Sequence, residues 1–216
     1  MFTEIVNNLY VFNGNNLGNN AYLLINKNHC IVVDPSSYAT SIINYINDNN
    51  LILDAMLLTH AHYDHISSLN DLIRHFNVEV YCHKNDEIVV NKYHCSKDIG
   101  NIDWKPIQNS FVYFDSNELK LGNFMFEVLY TPGHTSGSVC YRYNNLIFTG
   151  DTIFYNSIGR WDLPSADRQQ LSDSVKKFTN WARQNDLILS GHDNIYRPYS
   201  EVECVNQYIV HFKGVK

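Results

Sequence analysis

Three histidines and one aspartate lie within six residues of one another, at His60, His62, Asp64 and His65. They follow an apolar run, residues 53–58, that predicts a buried strand. Because residues two apart in an extended chain point to the same side, His60 and His62 can reach one metal ion. Asp64 and His65 follow where a helix is expected to begin, and they can bind the same ion or a neighbouring one.

An isolated histidine is more often a hydrogen-bonded residue of the core or the surface than a metal ligand. The concentration of these side chains favours a metal site, because three of the ten histidines fall where neither packing nor solubility requires them. Sites with three protein ligands and a water keep one coordination position open, which is the catalytic arrangement. The pattern therefore predicts a catalytic metal centre.

Three later segments carry a similar residue at the end of a predicted strand. Pro132 and Gly133 form a turn that presents His134, and two further apolar strands lead to Asp151 and His192. The two oxygens of a carboxylate can bind two cations, so Asp151 could bridge a pair of metals. Four strand ends would then meet at one site, where layered α/β proteins commonly bind their ligands.

Short apolar runs predict the strands that position these side chains. They cover residues 9–12, 22–25, 30–33, 53–58, 78–81, 111–114, 124–129, 139–143, 146–148 and 187–189. Residues 13–20, rich in Asn and Gly, are interpreted as a hairpin connection. Apolar residues at helical spacing predict helices around 42–46, 66–76, 171–182 and 202–212, with Ser36 or Ser37 capping the first.

Each half of the chain is thus a set of strands followed by a helix and a strand. This order predicts two sheets face to face, with helices on both outer sides. Residues 91–110 have no clear period and are interpreted as a long connection between the halves.

Composition limits the classes of function. The chain has 216 residues, of which 44% are hydrophobic and 18% charged, and its formal net charge is −6. We expect one domain over residues 1–216. The sequence has no run of Lys and Arg, no apolar stretch near the roughly 20 residues that span a bilayer, and no signal-like N-terminus. We therefore expect a cytoplasmic protein with no nucleic-acid or membrane partner. Five scattered cysteines argue against a disulfide framework.

Together, the motifs resemble those of the metallo-β-lactamase superfamily. They are His60-x-His62-x-Asp64-His65, Pro132-Gly133-His134-Thr135, Thr149-Gly150-Asp151 and Gly191-His192. The resemblance covers the whole chain and implies an α/β (α+β) fold, a four-layer αββα sandwich of two mostly antiparallel sheets with outer helices. It also implies one metal on His60, His62 and His134, a second on Asp64, His65 and His192, and Asp151 as the bridging ligand.

Two features favour the glyoxalase II-like branch of this superfamily. The bridging position is Asp151, where several β-lactamases have Cys, and residues 158–163 are similar to a Gly-Arg-x-Asp segment of glyoxalase II-like hydrolases. The resemblance thus implies a thiolester hydrolase similar to hydroxyacylglutathione hydrolase. Glyoxalase II proper has a C-terminal helical domain that helps to bind glutathione, whereas 24 residues follow His192 here. We therefore expect the short single-domain type, and leave open whether glutathione is bound.

The expected reaction is hydrolysis by a metal-bridging hydroxide, because two adjacent cations lower the pKa of a shared water toward neutrality. Asp64 is expected to orient this hydroxide and to accept a proton. An imidazole-rich ligand set favours two zinc ions, although iron and manganese also accept His and carboxylate ligands. Arg160 is a candidate substrate-binding residue, and the alternative is that Arg160 and Asp162 only brace their loop.

Other activities on the same metals remain open. They are those of a lactonase, a phosphodiesterase or an iron-dependent persulfide dioxygenase, each acting on a small-molecule substrate. A non-enzymatic metal-binding protein is the further alternative, and it is disfavoured because all seven ligand positions are filled. The sequence does not predict the oligomeric state.

Overall fold

A computed structural model describes residues 2–93, 107 and 111–213 of the chain. The connection expected over residues 91–110 therefore falls mostly outside the described residues. Its first part, where it is described, ends a π-helical turn, Val89–Tyr93.

Seven strands form the first sheet, in the order of the sequence. They are β1 (Phe2–Val6), β2 (Leu9–Phe12), β3 (Ala21–Asn26), β4 (His29–Val33), β5 (Ile52–Leu57), β6 (Val80–His83) and β7 (Val112–Phe114). Strands β1 to β4 pair antiparallel, and β4 to β7 pair parallel. Because β4, β5 and β6 run in the same direction, the residues that follow them lie at one edge of the sheet.

Six strands form the second sheet, in the order β13-β12-β11-β10-β9-β8. They are β8 (Glu118–Leu121), β9 (Phe124–Tyr130), β10 (Val139–Tyr143), β11 (Leu146–Gly150), β12 (Leu187–Ser190) and β13 (Arg197–Pro198). All pairs are antiparallel except that of β11 with β12. Strands β9, β11 and β12 consequently share one direction, and their carboxyl ends lie at the same edge.

Helices cover the outer face of each sheet. They are α1 (Ala39–Asp48), α2 (Tyr63–Ile66), α3 (Leu69–Phe76), α4 (Arg168–Trp181), α5 (Tyr199–Val205) and α6 (Gln207–Lys213). None of the helices within the described ranges is long and apolar enough to cross a membrane.

Three apolar clusters show that the layers follow the order αββα. Between the sheets, Leu57 of the first packs with Phe126 and Phe148 of the second. On the outer faces, the cluster of α1 and α3 contains Met56, and that of α4, α5 and α6 contains Ile188. Neighbouring strand residues such as Met56 and Leu57 point to opposite faces, so each strand contributes to two clusters. The sandwich expected from the sequence is confirmed.

Several local predictions differ from the structure. The first sheet is half parallel, because its β4-α1-β5 and β5-α3-β6 segments are crossovers and not hairpins. Tyr38 precedes α1 as its N-cap, and neither Ser36 nor Ser37 caps it. Ser36 instead adopts a φ of 50° and uses its backbone N–H to bond His65. The helices expected over 66–76 and 202–212 are each interrupted, as α2 with α3 and α5 with α6.

Candidate metal centre

The carboxyl ends of β5, β9, β11 and β12 bring together all seven residues that the sequence motifs singled out. His60 and His62 leave β5 in extended chain, and α2 begins directly afterwards, with Asp64 in its first turn and His65 buried. The other three, His134, Asp151 and His192, follow the three codirectional strands of the second sheet. Each sheet thus contributes ligands to one site between their edges.

The first candidate subsite consists of His60, His62 and His134. One ring nitrogen of each lies within 4.8 Å of the others. His62 Nδ1 is 2.9 Å from His134 Nε2, and the His60 ring centroid is 4.8 Å from both other rings. Three imidazoles around one point form the kind of set that binds zinc or another borderline metal.

The second candidate subsite consists of Asp64, His65 and His192. His192 Nε2 lies 3.3 Å from His65 Nε2 and 3.3 Å from Asp64 Oδ2, and His65 Nε2 is 3.7 Å from the same carboxylate oxygen. The His60 and His65 rings, with centroids 4.1 Å apart, place the two subsites side by side.

Asp151 lies between the subsites. Its Oδ2 is 3.3 Å from His134 Nε2 and 3.3 Å from His192 Nε2, and its Oδ1 is 3.4 Å from His65 Nε2. One carboxylate therefore faces ligands of both groups, which is the placement that a bridging ligand requires.

Hydrogen bonds donated by the outer ring nitrogens orient three of the histidines. His65 Nδ1 donates to Asp34 Oδ2 at 3.0 Å, His134 Nδ1 to the Arg160 carbonyl at 2.9 Å, and His192 Nδ1 to the Leu17 carbonyl at 2.9 Å. In the neutral ring this arrangement assigns the hydrogen to Nδ1 and leaves the Nε2 lone pair directed into the site.

The histidines of the first subsite are held neutral. Burial and the neighbouring His65 hold the pKa of His60 well below its usual range, and burial with the adjacent His134 lowers the pKa of His62 to about 3. Burial also lowers the pKa of His134. Neutral imidazole is the form that binds a metal, so these three do not have to lose a proton first.

The second subsite carries more negative charge. Burial opposes ionisation of Asp64 and Asp151, but His65 and His192 together outweigh it, and the pKa of both carboxyls is lowered. Burial would lower the pKa of His192, yet Asp151 and Asp64 raise it to about 10. The two carboxylates thus favour a positive charge at this position, which a divalent cation also supplies.

Two orphaned atoms support the fit of metal ions to this site. His60 Nε2 and Asp151 Oδ1 are buried and have no hydrogen-bond partner among the described residues. A buried polar atom without a partner costs free energy, and metal coordination would satisfy both atoms. Together with the histidine and carboxylate donor set, they show that the residues present fit two divalent cations.

Glycines precede two of the ligands because larger residues would collide with the site. Gly150 has a φ of +48°, and a Cβ there would lie 2.2 Å from Thr59 Oγ1. A Cβ at Gly191 would lie 2.3 Å from Asp151 Oδ1. The motifs Thr-Gly-Asp and Gly-His thus let the ends of β11 and β12 approach the metal ligands closely.

Asp34, directly after β4, belongs to the site although the sequence motifs do not include it. Its Oδ2 accepts from His65 Nδ1 and, at 2.5 Å, from Thr59 Oγ1, while its Oδ1 accepts from the Thr59 N–H at 2.8 Å. Thr59 Oγ1, having donated its hydrogen to Asp34, can accept from His60 Nδ1 at 3.1 Å. Asp34 lies near His60 and His65, but these bonds occupy both oxygens and make it a support for the ligands.

Asp34→Asn is expected to weaken metal binding on the order of 10- to 100-fold, as is usual for a partner that orients a ligand. Both oxygens of Asp34 face donors, so an amide NH₂ must meet a donor whichever way it turns. Competition with a chelator measures the affinity. Asp54→Asn is a matched control, because Asp54 Oδ1 also bonds a histidine, His29 Nδ1 at 2.7 Å, outside the site. Equal affinities of Asp34→Asn and the wild type would contradict the assigned role.

Asn19 was also missed. Its Nδ2 donates to Asp64 Oδ2 at 2.9 Å and lies 3.4 Å from His192 Nε2. The segment that contains it does connect the antiparallel strands β2 and β3, as expected. Its Asn richness resembled a simple turn composition, which gave no signal for a contact with the site.

Arg160 contacts the site with its backbone carbonyl and not with its side chain. Its carbonyl orients His134, while its guanidinium forms a two-point ion pair with Asp162, Nε to Oδ1 at 2.9 Å and Nη2 to Oδ2 at 3.0 Å. The side chains of both residues are more than 60% exposed, at 67% and 64%. The ion pair expected of a bracing role is therefore present, on a side chain that solvent also reaches.

The sequence of this chain is similar to those of known proteins. The family model of the metallo-beta-lactamase superfamily matches residues 14–192. The "Probable metallo-hydrolase YqgX" of Bacillus subtilis (strain 168) is 33% identical over 177 residues, which are 80% of this chain and 84% of that protein. A hydroxyacylglutathione hydrolase of Francisella tularensis subsp. novicida is 34% identical over 171 residues, 78% of this chain but 60% of that protein. The chain thus matches little more than half of that hydrolase.

Solved structures of other proteins have a similar fold. BLEG-1, a B3 metallo-beta-lactamase, has a TM-score of 0.83 at 27% identity, with 93% of this chain and 99% of that chain covered. A protein crystallised in a di-iron-bound form, TTHA1623, has a TM-score of 0.83 at 25% identity, with 92% and 98% covered. With seven ligand-type residues gathered at the strand ends and a family match over most of its length, the chain belongs to the metallo-beta-lactamase superfamily.

Proposed function

We propose that this chain is a thiolester hydrolase that works with two divalent metal ions, zinc being the first candidate. The observation that carries the proposal is the position of Asp151, whose Oδ2 lies 3.3 Å from a histidine of each subsite. A carboxylate placed in this way supports a dinuclear centre. The thiolester as substrate is supported by the similarity to the Francisella hydroxyacylglutathione hydrolase.

The seven candidate ligands would hold the two metal ions in two groups that share one residue. His60, His62 and His134 would hold one ion, Asp64, His65 and His192 the other, and Asp151 both. When bound, such a pair of ions lowers the pKa of water and polarises a carbonyl.

Asp64, with its side chain 18% exposed, is the carboxylate that can orient the attacking water and accept its proton. The amide of Asn19 fixes one Asp64 oxygen and limits its rotation. Water and the thiolester would yield a carboxylic acid and a free thiol.

A substrate panel with metal analysis tests the proposal. The purified protein is analysed for bound metals and then assayed for thiol release from S-lactoylglutathione and from an acyl-coenzyme A thiolester. We expect about two metal equivalents per chain, and thiolester turnover that a chelator abolishes. Two bound metals without turnover of any thiolester would refute the proposed substrate class and leave the metal centre intact.

β-Lactam hydrolysis is the second candidate. The specific observation is the similarity to the B3 enzyme BLEG-1, which covers nearly the whole of both chains. A chromogenic cephalosporin in the same panel distinguishes the two, and a lactone, a phosphodiester and a glutathione persulfide with oxygen test the remaining alternatives. The panel also tests the metal, since persulfide oxidation would require iron and not zinc.

Arg160 is proposed to bind an anionic group of the substrate. Arg160→Ala is expected to raise KM on the order of tenfold with little change in kcat, because a lost charged hydrogen bond that is equal in ground and transition states affects binding alone. Steady-state kinetics with the best thiolester measure the change. Arg74→Ala is the control, since Arg74 also pairs with an aspartate on the surface, Asp71. Unchanged KM in Arg160→Ala would leave only the bracing role.

A further inference from the structure

We propose that Asp86, which is not among the metal ligands, sets the geometry of the first metal subsite by joining the two loops that carry its histidines. The inference rests on the metal centre of the proposed function and is independent of the thiolester. It makes Asp86 a positioning residue.

Asp86 is fully buried and both of its oxygens accept hydrogen bonds. Oδ2 accepts from the Ala61 N–H at 2.8 Å and from Thr135 Oγ1 at 2.9 Å. Oδ1 accepts from the Gly137 N–H at 2.6 Å. A single carboxylate therefore holds the loop after β5 and the loop after β9 at the same time.

The donors to Asp86 are neighbours in sequence of the candidate metal ligands. Ala61 stands between His60 and His62, and Thr135 directly follows His134. Two histidines of the first subsite thus follow a strand of the first sheet and the third follows a strand of the second. Their mutual distances therefore depend on how the two loops are aligned. A ligand set has to be held to within about 0.5 Å of its productive geometry, and Asp86 supplies a direct tie between the two loops.

The segment that carries Asp86 is itself fastened to the second loop. The 3-10 turn Lys84–Asp86 follows β6, and Ser136 Oγ donates to the Asn85 carbonyl at 2.7 Å. The approach is so close that a Cβ at Gly137 would lie 2.4 Å from the Asp86 nitrogen. The absence of a side chain at Gly137 therefore lets the loop reach the carboxylate.

A buried carboxylate is a costly way to stabilise a fold. Burial raises the pKa of Asp86 to about 6, although the bonds from Thr135, Ala61 and Gly137 lower it. Apolar groups of similar volume are often at least as stabilising in such a position, so the carboxylate needs a purpose besides stability. Alignment of two backbone loops is such a purpose, because three donors from both loops converge on one small side chain.

The second subsite is supported by other groups. His65 is oriented by Asp34, and Asp64 by Asn19. Asp86 accepts its hydrogen bonds from Ala61, Thr135 and Gly137, which flank the histidines of the first subsite. Loss of Asp86 should therefore affect the two subsites unequally, whereas general loosening of the fold would affect both.

Cobalt(II) titration in two backgrounds tests this asymmetry. In the His192→Ala background the second subsite is incomplete, so cobalt binding measures the affinity of the first subsite. In the His62→Ala background the first subsite is incomplete, so cobalt binding measures the affinity of the second. Asp86→Asn is added to each, and affinity is measured by chelator competition together with the visible absorption of bound cobalt. We expect the first-subsite affinity to fall on the order of 10- to 100-fold and the second-subsite affinity to change less than about threefold.

Equal weakening of both subsites, or full first-subsite affinity in a folded Asp86→Asn protein, would overturn the proposal. If Asp86→Asn does not fold, Thr135→Val removes one donor and leaves the carboxylate, and the first-subsite affinity should still fall. Thr135→Ser, which keeps the hydroxyl, should restore most of that loss, and failure to do so would also overturn it. The matched control is Asp186→Asn, because Asp186, directly before β12, also has a buried carboxylate and accepts from the Arg183 N–H and from Arg142. It should lower stability without changing cobalt affinity.

Discussion

Asp64→Asn is expected to lower the rate of hydrolysis by a factor on the order of 10² to 10⁴, the usual loss when a general base is removed. The amide is the same size as the carboxylate, but it cannot accept the proton of the attacking water. It also removes a negative charge located 3.3 Å from His192 Nε2, so metal content should fall as well. Turnover is measured with the best substrate of the panel, and metal content by elemental analysis of the same sample.

The two effects of this variant are separated by the metal concentration. In excess metal the second subsite is refilled, so any rate that is still missing reflects loss of the carboxylate itself and not loss of metal. Asp71→Asn serves as the control, because Asp71 is an exposed carboxylate on α3 that pairs with Arg74 outside the site. Wild-type turnover by fully metallated Asp64→Asn would exclude Asp64 as the proton acceptor.

The sequence predicts most inner strands of the fold well, but it misses three of the four edge strands that the structure describes. Strand β2 has the predicted bounds, and the apolar runs of β4 and β10 gave bounds within one residue, because buried strands carry a continuous apolar signal. Strands β1, β8 and β13 were not predicted. Most of β1 is exposed at the edge of the first sheet, and β8 alternates over four residues, too few for a clear period.

The parallel pairs of the first sheet were missed for a different reason. The intervening helices were themselves predicted, but a helix between two strands does not by itself determine whether the second strand runs parallel or antiparallel to the first. The run at 42–46 indicated α1, but not that α1 crosses over the sheet to make β5 parallel to β4. Direction is a property of the assembled sheet, and neighbouring residues do not encode it locally.

The seven candidate ligands could be singled out from the sequence because they stand at or shortly after the end of an apolar strand, where packing does not require a His or an Asp. The supports Asp34 and Asp86 follow β4 and β6, the two neighbours of β5, yet a single acidic residue after a strand is also an ordinary loop residue. Their role follows from the parallel arrangement, which places all three strand ends side by side. Residues that act through hydrogen bonds to a ligand or its loop thus became visible only when the sheet was known.

The stability of the second sheet should depend strongly on a charge pair far along the strands from the metal centre. The side chain of Arg142, on β10, is 1% exposed, and its Nη2 donates to Asp186 Oδ2 at 3.1 Å. Its Nη1 pairs with Glu127 Oε2 at 2.7 Å, and its guanidinium stacks 3.7 Å from the centre of the Trp181 ring. The guanidinium is therefore compensated by one buried carboxylate and by one that solvent reaches.

Asp186→Ala is expected to lower the free energy of unfolding by about 3–5 kcal/mol, because it leaves the buried Arg142 charge with less compensation. The same substitution removes the acceptor of the Arg183 N–H, which adds to the loss. Glu127→Gln should cost no more than about 1 kcal/mol, since its carboxylate is 45% exposed and its ion pair is screened by water. Denaturant unfolding measures both variants. Similar losses in the two would contradict the distinction, because they would mean that burial of the carboxylate does not decide how much each partner stabilises Arg142.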